Sequence, residues 1–330
     1  MKILYVDMQF NYGKEKDGIN QIGEIGFNRV FKKLGHEVVT FYYDEYFNSG
    51  ALVKLQTDLL KYADEQQPDL IYFCLYTDQF TPETLLALKA KYRTINWFGD
   101  DQWRFENFSA KYAPLFTYAI TTDPFAVPKY KKAGIENVIL SQWAALNIDS
   151  PTENSVNYEF DVSFVGGANS VRKWFVSEFA KAGIQVNTFG NNWQNGPVSL
   201  EKMQEIFRKS KINLNLSNST NLDVRYLTHN LRNIVTAIRN PKNTSQMKAR
   251  NFEIPYFGGF QLTDYLPTLE NYFAIGREVV CYANVNEAIQ LTKFYLENSE
   301  LREKIKAASI EKTHAEHTYL HRLQEIFSQL

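Results

Sequence analysis

One segment near residue 250, KARNFEIPYFGGFQLTD, holds the side chains best suited to binding chemistry. It contains two cations, Lys248 and Arg250, one carboxylate, Glu253, and the glycine pair Gly258 and Gly259. Two cations suit a diphosphate, and one carboxylate suits the paired hydroxyls of a sugar. Glycines let the backbone turn sharply and come close to another group. The segment therefore indicates a site for a sugar linked to a diphosphate.

The same segment predicts a helix, a tight turn and a short buried strand. Thr244 and Ser245 are candidates to cap the start of the helix. Pro255 is expected to stop it, because proline has no amide hydrogen and clashes with the preceding turn. Lys248 and Arg250 would lie about 200° apart around such a helix.

Two arrangements of the charged side chains stay open. Arg250 and Glu253 are three residues apart and share a helical face. Either Arg250 braces Glu253 in an ion pair, or these two side chains face a ligand while Lys248 points outward.

The motifs of this region carry a family resemblance. KxRxFEI and GGFxLTDY, followed by FxxGREVVCY and HTYxxR, resemble the glycosyltransferase group 1 proteins of the spore-maturation (CgeB-like) type. The resemblance is strongest over about residues 160–322, and is weaker at ILYVDMQFNYG, WFGDDQWRF and YKKAGIENV. It implies an α/β GT-B fold, in which two Rossmann-like domains with parallel sheets face each other across a cleft. It also implies that a nucleotide-sugar donor is held mainly by the C-terminal domain.

Glu253 gains a specific role from this resemblance. Related GT-B enzymes of the retaining family 4 type carry two glutamates eight positions apart, and the second binds the nucleotide ribose. Glu253 matches the second glutamate, whereas the first falls at Ser245, which is not acidic.

A second candidate donor-binding element opens the C-terminal half. The predicted strand over 161–165 ends in Gly166 and Gly167, and Arg172 follows in the first turn of a helix. A glycine turn before a helix can bind phosphate through its backbone amides, although a plain tight turn is the alternative. The pattern resembles the FVGxxxxxR opening of the family's donor domain.

Two further positions follow predicted strands of the same half. Trp193 comes after the strand over 185–189, where it could stack on a nucleobase or cover the end of the sheet. Ser217, with the two polar residues after it, follows the strand over 212–216. Ligands of parallel sheets bind at these carboxyl ends.

The N-terminal half alternates strands and helices, which predicts a parallel sheet with helices on both faces. The loop after the strand over 94–98 contains Asp100 and Asp101. Transfer that inverts a sugar's anomeric centre needs a base, and either carboxylate is a candidate. The alternative is that they cap the next helix. Asp7 and Asp78 are weaker candidates.

The length of 330 residues is enough for two domains. The polar segment 147–157 marks the boundary, so we expect an N-terminal acceptor-side domain over 1–150 and a donor domain over 151–312. The segment 313–330 is expected to form a helix that packs back on the N-terminal domain, as in GT-B folds.

Composition limits the class of protein. Hydrophobic residues make up 44% and charged residues 22%, which is typical of a globular protein. The net charge of -1 argues against a nucleic-acid binder. Cys74 and Cys281 lie in apolar runs and indicate reduced core residues. We find no signal peptide or membrane-length apolar run, so a cytoplasmic protein with at most peripheral membrane association is expected.

A basic helix is predicted over 222–239. Its apolar residues share one face, and Arg225, Arg232 and Arg239 recur every seven residues. No acidic residue occurs from Val224 to Phe252, which creates a local positive field. A diphosphate, an acidic acceptor or an anionic lipid surface could use this field. A solvated arginine face is favoured for Arg225 and Arg232, and steering of a ligand for the cations near Lys248.

Two classes of function remain. The first is a metal-independent glycosyltransferase without a cofactor, which moves a sugar from a nucleotide-sugar donor to a glycan, lipid or protein hydroxyl, or a related GT-B epimerase. The second is a nucleotide-sugar-binding or scaffold protein that has lost turnover. His314, His317 and His321 have the spacing of one helical face, but structural histidines are favoured over a metal site.

Overall fold

The computed structural model describes residues 1–148, 157–216, 222–240, 242 and 244–330. The chain forms two compact units. The first unit comprises Met1–Asn147 and Tyr319–Leu330, and the second comprises Ile148–Thr318.

Six parallel strands form the sheet of the first unit, in the order β2-β1-β3-β4-β5-β6. They are β1 Lys2–Asp7, β2 Glu37–Tyr42, β3 Leu70–Phe73, β4 Arg93–Phe98, β5 Tyr118–Thr121 and β6 Val138–Leu140. The strand order reverses between β1 and β3, and such a reversal is where ligands of open α/β sheets bind.

Helices connect these strands. They are α1 Arg29–Lys33, α2 Asp44–Ser49, α3 Leu52–Gln66, α4 Pro82–Lys91, α5 Asp101–Arg104, α6 Ala110–Tyr112 and α7 Val127–Lys132, with α15 Tyr319–Phe327 at the end of the chain. A π-helical segment, Glu24–Asn28, precedes α1, and another, Phe105–Ser109, follows α5. Pro128 lies in the first turn of α7, as its missing amide hydrogen predicts.

The start of α15 packs on the π-helical segment Glu24–Asn28. The ring centroids of Tyr319 and Phe27 lie 5.2 Å apart. A Cβ at Gly26 would lie 2.9 Å from the Tyr319 ring, so only glycine fits this approach. The C-terminal segment is thus built into the aromatic core of the first unit.

Five parallel strands form the sheet of the second unit, in the order β11-β10-β9-β7-β8. They are β7 Phe160–Val165, β8 Asn187–Phe189, β9 Ser210–Asn215, β10 Gln261–Asp264 and β11 Val280–Tyr282. Here the order reverses between β7 and β9. The prediction of two parallel α/β sheets is confirmed.

Helices also connect the strands of the second unit. They are α8 Ser170–Lys181, α9 Leu200–Arg208, α10 Val224–His229, α11 Leu231–Arg239, α12 Arg250–Tyr256, α13 Val285–Glu297 and α14 Ser299–Glu316. Buried aromatic and branched side chains of β7, β9, β10, α8 and α13 form the core. No helix among the described residues is long and apolar enough to cross a membrane.

The predicted stop at Pro255 is wrong. Pro255 lies inside α12, which ends one residue later. Proline donates no hydrogen bond to the carbonyl of Asn251, four residues earlier. The side-chain amide of Gln261 donates to that carbonyl instead, at 3.2 Å, so the helix continues through the proline.

The predicted start of this helix is also wrong. The helix begins at Arg250, beyond the reach of caps at Thr244 and Ser245. The Asn251 side chain accepts a hydrogen bond from the Lys248 amide at 2.9 Å. Lys248 therefore precedes the helix, and the angle predicted between it and Arg250 does not apply.

Two other predicted helices have different bounds. The helix over 222–239 is interrupted at Asn230, whose extended backbone ends α10 and whose side chain caps α11. The final histidines do not share one helix, because α14 ends at Glu316, before His317. His314 and His317 each place Nε2 within 2.9 Å of a backbone carbonyl.

Candidate functional site

The candidate site lies at the carboxyl ends of the strands in the second unit. Strand β7 ends just before Gly166 and Gly167, and α8 begins three residues later. Asn169 caps α8, because its Oδ1 accepts from the Arg172 amide at 2.8 Å. The sequence thus places a glycine turn and a helix N-terminus at the edge where the strand order reverses.

The guanidinium of Arg172 joins the two loops at that reversal. Its Nη1 donates to the carbonyl of Gly167 at 2.8 Å, while Nε and Nη2 donate to the carbonyl of Leu216 at 3.1 and 2.7 Å. The group also lies over the Phe164 ring, 5.1 Å from its centroid. Burial lowers the pKa of Arg172 to about 10. Arg172 therefore links the backbone of Gly167, after β7, to that of Leu216, after β9.

Trp193 covers the end of the sheet beside Gly166. Its indole Nε1 donates to the Gly166 carbonyl at 2.8 Å, and its ring meets Phe164 edge-on. Gly190 permits this approach, because it has a φ of +131° and a Cβ there would lie 2.4 Å from the Gly166 oxygen. Covering the end of the sheet was one of the two roles considered for Trp193, and stacking on a nucleobase stays a prediction.

Helix α12 brings Arg250 and Glu253 to the same edge. Since α12 precedes the parallel strand β10, the N-terminus of the helix lies at the carboxyl edge of the sheet. Arg250 Nη1 donates to Glu253 Oε2 at 2.8 Å, as expected for side chains three residues apart. The Arg250 guanidinium lies over the Phe207 ring and contacts the sulfur of Met203.

Only one oxygen of the Glu253 carboxylate has a donor among the described residues. Among the described residues, none donates to its Oε1, whereas Oε2 is held by Arg250. The residue is only 5% exposed, and burial raises the pKa of its carboxyl, an effect that the charge of Arg250 opposes. A half-paired buried carboxylate is suited to accept hydrogen bonds from a diol.

Asp264, which the sequence analysis did not select, belongs to this edge. It is the last residue of β10, and Thr263 Oγ1 lies 3.4 Å from its Oδ1. Burial raises the pKa of Asp264 to about 7, opposed by hydrogen bonds, among them one from Ser245, and by the charge of Arg172. The sequence signal that could have identified Asp264 is its position at the end of a predicted strand, which it shares with Asp7.

Gly258 and Gly259 lie at the opposite edge, before the amino end of β10. The amide of Gly258 donates to Pro255 and that of Gly259 to Ile254, which ends α12. Gly258 has a φ of +83°, and a Cβ at Gly259 would lie 2.7 Å from Asn213 Nδ2. The structure therefore gives this pair a role in ending the helix and does not bring it to the candidate site.

Two predicted donor-binding residues remain, Lys248 and Ser217. Lys248 is partly buried just before α12, at the same edge as Arg250. Ser217 lies outside the described residues.

Asp100 and Asp101, the two candidates for the catalytic base, have different environments in the first unit. Asp101 is 1% exposed, accepts from the Tyr130 hydroxyl at 2.8 Å, and has its pKa raised by burial to about 6. Asp100 is partly exposed and makes no side-chain cap to α5. Asp100 is also close enough to Tyr12 to contribute, after burial and Tyr76, to raising the pKa of that tyrosine. Of the two, Asp100 is therefore the more exposed side chain.

The weaker candidates of the first unit also differ. Asp7 ends β1 at the strand reversal and is 2% exposed, with its carboxylate bonded to the Tyr5 hydroxyl and the Met8 amide. Burial raises the pKa of Asp7 to about 7. Asp78 is exposed and bonds to Thr77. No cluster of three or more metal-ligating side chains occurs in the part of the chain that the structure describes.

The comparison with protein families matches residues 172–328 to the family described as glycosyl transferase-like. Residues 172–328 are thus similar to the proteins of this family. The matched segment contains Arg172, Arg250, Glu253 and Asp264, so the candidate site falls largely within the match. The comparison with curated proteins found no match.

Solved structures resemble the chain over its whole length. HepE from Anabaena, in a complex with UDP-glucose, is 12% identical with a TM-score of 0.63, and all of both chains is covered. Sucrose-phosphate synthase from Thermosynechococcus elongatus is 9% identical with a TM-score of 0.64, covering 100% of this chain and 98% of that one. The β-glucosyltransferase of phage T4 is 14% identical with a TM-score of 0.56, covering 100% and 97%.

These likenesses establish the fold. The two units have the GT-B architecture, with two Rossmann-like domains built on parallel sheets. The fold class predicted from the sequence is confirmed.

Proposed function

We propose that this protein is a glycosyltransferase that takes a sugar, such as a hexose, from a nucleotide-sugar donor and transfers it to a hydroxyl acceptor. The observation that carries the proposal is the pair formed by Arg250 and Glu253 at the carboxyl edge of the donor-side sheet. The pair offers a cation for the diphosphate and a carboxylate oxygen for the ribose diol.

The comparisons support the donor class. The solved HepE structures of the same fold contain UDP, UDP with glucose, or UDP-glucose. The match of residues 172–328 to a glycosyl transferase-like family supports transfer as the reaction. The motifs around Glu253 support the finer assignment to the spore-maturation (CgeB-like) type.

The transfer breaks the bond between the sugar's anomeric carbon and the diphosphate oxygen, and forms a bond from that carbon to the acceptor oxygen. The nucleoside diphosphate leaves with the bonding electrons, and Arg250, Lys248 and the α8 N-terminus would stabilise its charge. If the reaction inverts the anomeric centre, Asp100 is the proposed base that takes the acceptor proton. Cationic side chains and backbone amides in this role would allow transfer without a metal ion.

The acceptor is proposed to be a hydroxyl of a glycan, a lipid-linked glycan or a protein. A second candidate function is a nucleotide-sugar-binding protein without turnover. The serine at position 245, where related enzymes carry a glutamate, is the observation that favours it.

A panel of nucleotide sugars, with release of nucleotide as the readout, tests the proposal. Steady release by the natural protein and loss of release in Glu253→Gln and Arg250→Gln are expected. The exposed Glu300→Gln and Arg277→Gln are matched controls and should behave like the natural protein. Tight binding without release, with candidate acceptors present, would instead support the binding protein. If the protein neither binds any donor of the panel nor releases nucleotide from one, both candidate functions are overturned.

A further inference from the structure

Helix α11 turns its apolar side away from the protein. Leu231, Ile234, Val235 and Ile238 have the i, i+3, i+4, i+7 spacing that normally faces a core. Here they are 80%, 38%, 48% and 79% exposed, respectively. The side chains that would ordinarily be buried therefore form the outer surface of this helix.

The opposite side of α11 attaches the helix to the second unit. Asn233 is 7% exposed, and its Nδ2 donates to the backbone carbonyl of Tyr226 at 2.9 Å. Ala237, one turn further along, is partly buried. A polar anchor and a small residue thus hold the helix, and the reversed orientation follows from a specific buried hydrogen bond.

Two further branched side chains before α11 are exposed, Leu222 at 74% and Val224, at the start of α10, at 69%. We call the four side chains of Leu231, Ile234, Val235 and Ile238 on α11 the outer apolar face. An accumulation of exposed branched side chains on one segment marks an interaction surface.

Arginines line one edge of this face. Arg232 and Arg239 lie about 80–100° around the helix from Leu231, on the same side of the apolar stripe. Both are exposed, and no described acidic residue forms an ion pair with either. The sequence from Val224 to Phe252 has no acidic residue at all.

We propose that α11 docks on an anionic lipid bilayer, with its axis in the plane of the interface and the outer apolar face among the acyl chains. A basic edge beside exposed leucine, isoleucine and valine side chains is the pattern of interfacial helices. Arginine stems extend along apolar surface while their charged ends reach lipid phosphates. The interface of a protein partner would ordinarily bring charges of both signs. The lack of carboxylates on this surface therefore favours an anionic membrane over a protein partner.

Docking of this kind does not depend on the proposed sugar transfer, and it requires no spanning helix. It would place the second unit at a membrane surface whether or not a donor is bound.

Flotation of the full chain with lipid vesicles tests the proposal. The protein should float with vesicles of equal parts phosphatidylcholine and phosphatidylglycerol, and should stay in solution with phosphatidylcholine alone. Leu231→Ser with Ile238→Ser should lower partitioning at least about tenfold. Arg232→Gln with Arg239→Gln should lower it roughly 30-fold, and about 0.5 M salt should have a similar effect on the natural protein.

Val53→Ser is the matched control, because Val53 is 84% exposed on α3 of the first unit. It should bind vesicles as the natural protein does, and all variants should keep the thermal unfolding midpoint of the natural protein. Absence of flotation with anionic vesicles, or equal flotation with neutral ones, would overturn the proposal. So would a dimer in light scattering that Leu231→Ser with Ile238→Ser converts to a monomer, because the face would then bind a second copy of the chain.

Discussion

Arg250 holds one oxygen of Glu253 across a single helical turn, at 2.8 Å, and leaves the other oxygen without a described donor. The two arrangements left open by the sequence, an internal ion pair and a ligand site, are therefore compatible. The ion pair fixes the carboxylate, and the proposed contact with the ribose diol would use its second oxygen.

Glu253→Gln should weaken donor binding and leave the fold intact. The substitution removes the charge that strengthens a hydrogen bond to a ribose hydroxyl, which costs about 1.5–3 kcal/mol, or roughly 10- to 150-fold in affinity. Calorimetric titration with the donor selected from the panel measures the effect. Affinity equal to that of Glu300→Gln would contradict the assignment of Glu253 to the ribose.

Arg172→Lys should destabilise the protein. Arg172 donates to the carbonyls of Gly167 and Leu216 with three nitrogen atoms, whereas a lysine ammonium cannot span both loops with that geometry. Loss of these bonds should lower the free energy of unfolding by about 1–3 kcal/mol. Urea denaturation measures it, and unchanged stability would show that the loops do not depend on this guanidinium.

Donor affinity should fall as the pH rises through about 7. The pKa of Asp264 is raised to about 7 by burial, so its carboxyl is neutral below that pH and negative above it. A negative charge at the same edge as the bound diphosphate should cost about 1 kcal/mol, or roughly fivefold in affinity. A nucleotide sugar is the ligand to use, because its diphosphate does not titrate in this range.

Asp264→Asn provides the control for this pH dependence. An amide stays neutral, so the affinity of the variant should be flat between pH 6 and pH 8 and should match the natural protein at pH 6. An identical pH profile in both proteins would assign the effect to another group.

Gln261→Met should destabilise α12 in a way that depends on Pro255. The variant leaves the Asn251 carbonyl without the donor that Gln261 supplies, at a cost of about 1–3 kcal/mol. In a Pro255→Ala background the new backbone amide can bond to that carbonyl, so the same substitution should cost less. The unfolding free energies of the natural protein, the two single variants and the double variant give the coupling energy between positions 255 and 261. Additive effects of the two substitutions would contradict this account of the helix.

Gly259→Ala should affect stability alone. A Cβ there would lie 2.7 Å from Asn213 Nδ2 and 3.0 Å from the Ile254 carbonyl, which predicts a loss of about 1–3 kcal/mol. Because the residue lies at the amino edge of the sheet, donor affinity measured on the folded variant should be unchanged. A selective loss of affinity would place the glycine pair at the site after all.

The sequence was sufficient for the architecture, because buried strands and amphipathic helices alternate with clear periods in both halves. The three-residue spacing of Arg250 and Glu253 also placed them on one helical face, where they form an ion pair. Sequence reasoning failed at Pro255, where the hydrogen bond that sustains the helix comes from Gln261, a side chain on the next strand. Local propensity contains no information about such a tertiary partner.

The outer apolar face shows a second limit of sequence reasoning. The spacing of Leu231, Val235 and Ile238 correctly indicates an amphipathic helix, but which side faces the protein depends on the anchor between Asn233 and Tyr226.

Asp264 shows a third limit. Its raised pKa results from burial, and no property of the motif LTDY reveals that burial.

A crystal structure of the protein soaked with its best-binding nucleotide sugar tests the central claim most directly. The account predicts a ribose hydroxyl within about 3.2 Å of Glu253 Oε1 and the diphosphate beside Arg250. A donor bound elsewhere, with Glu253 and Arg250 paired as they are now and touching no ligand, would contradict it.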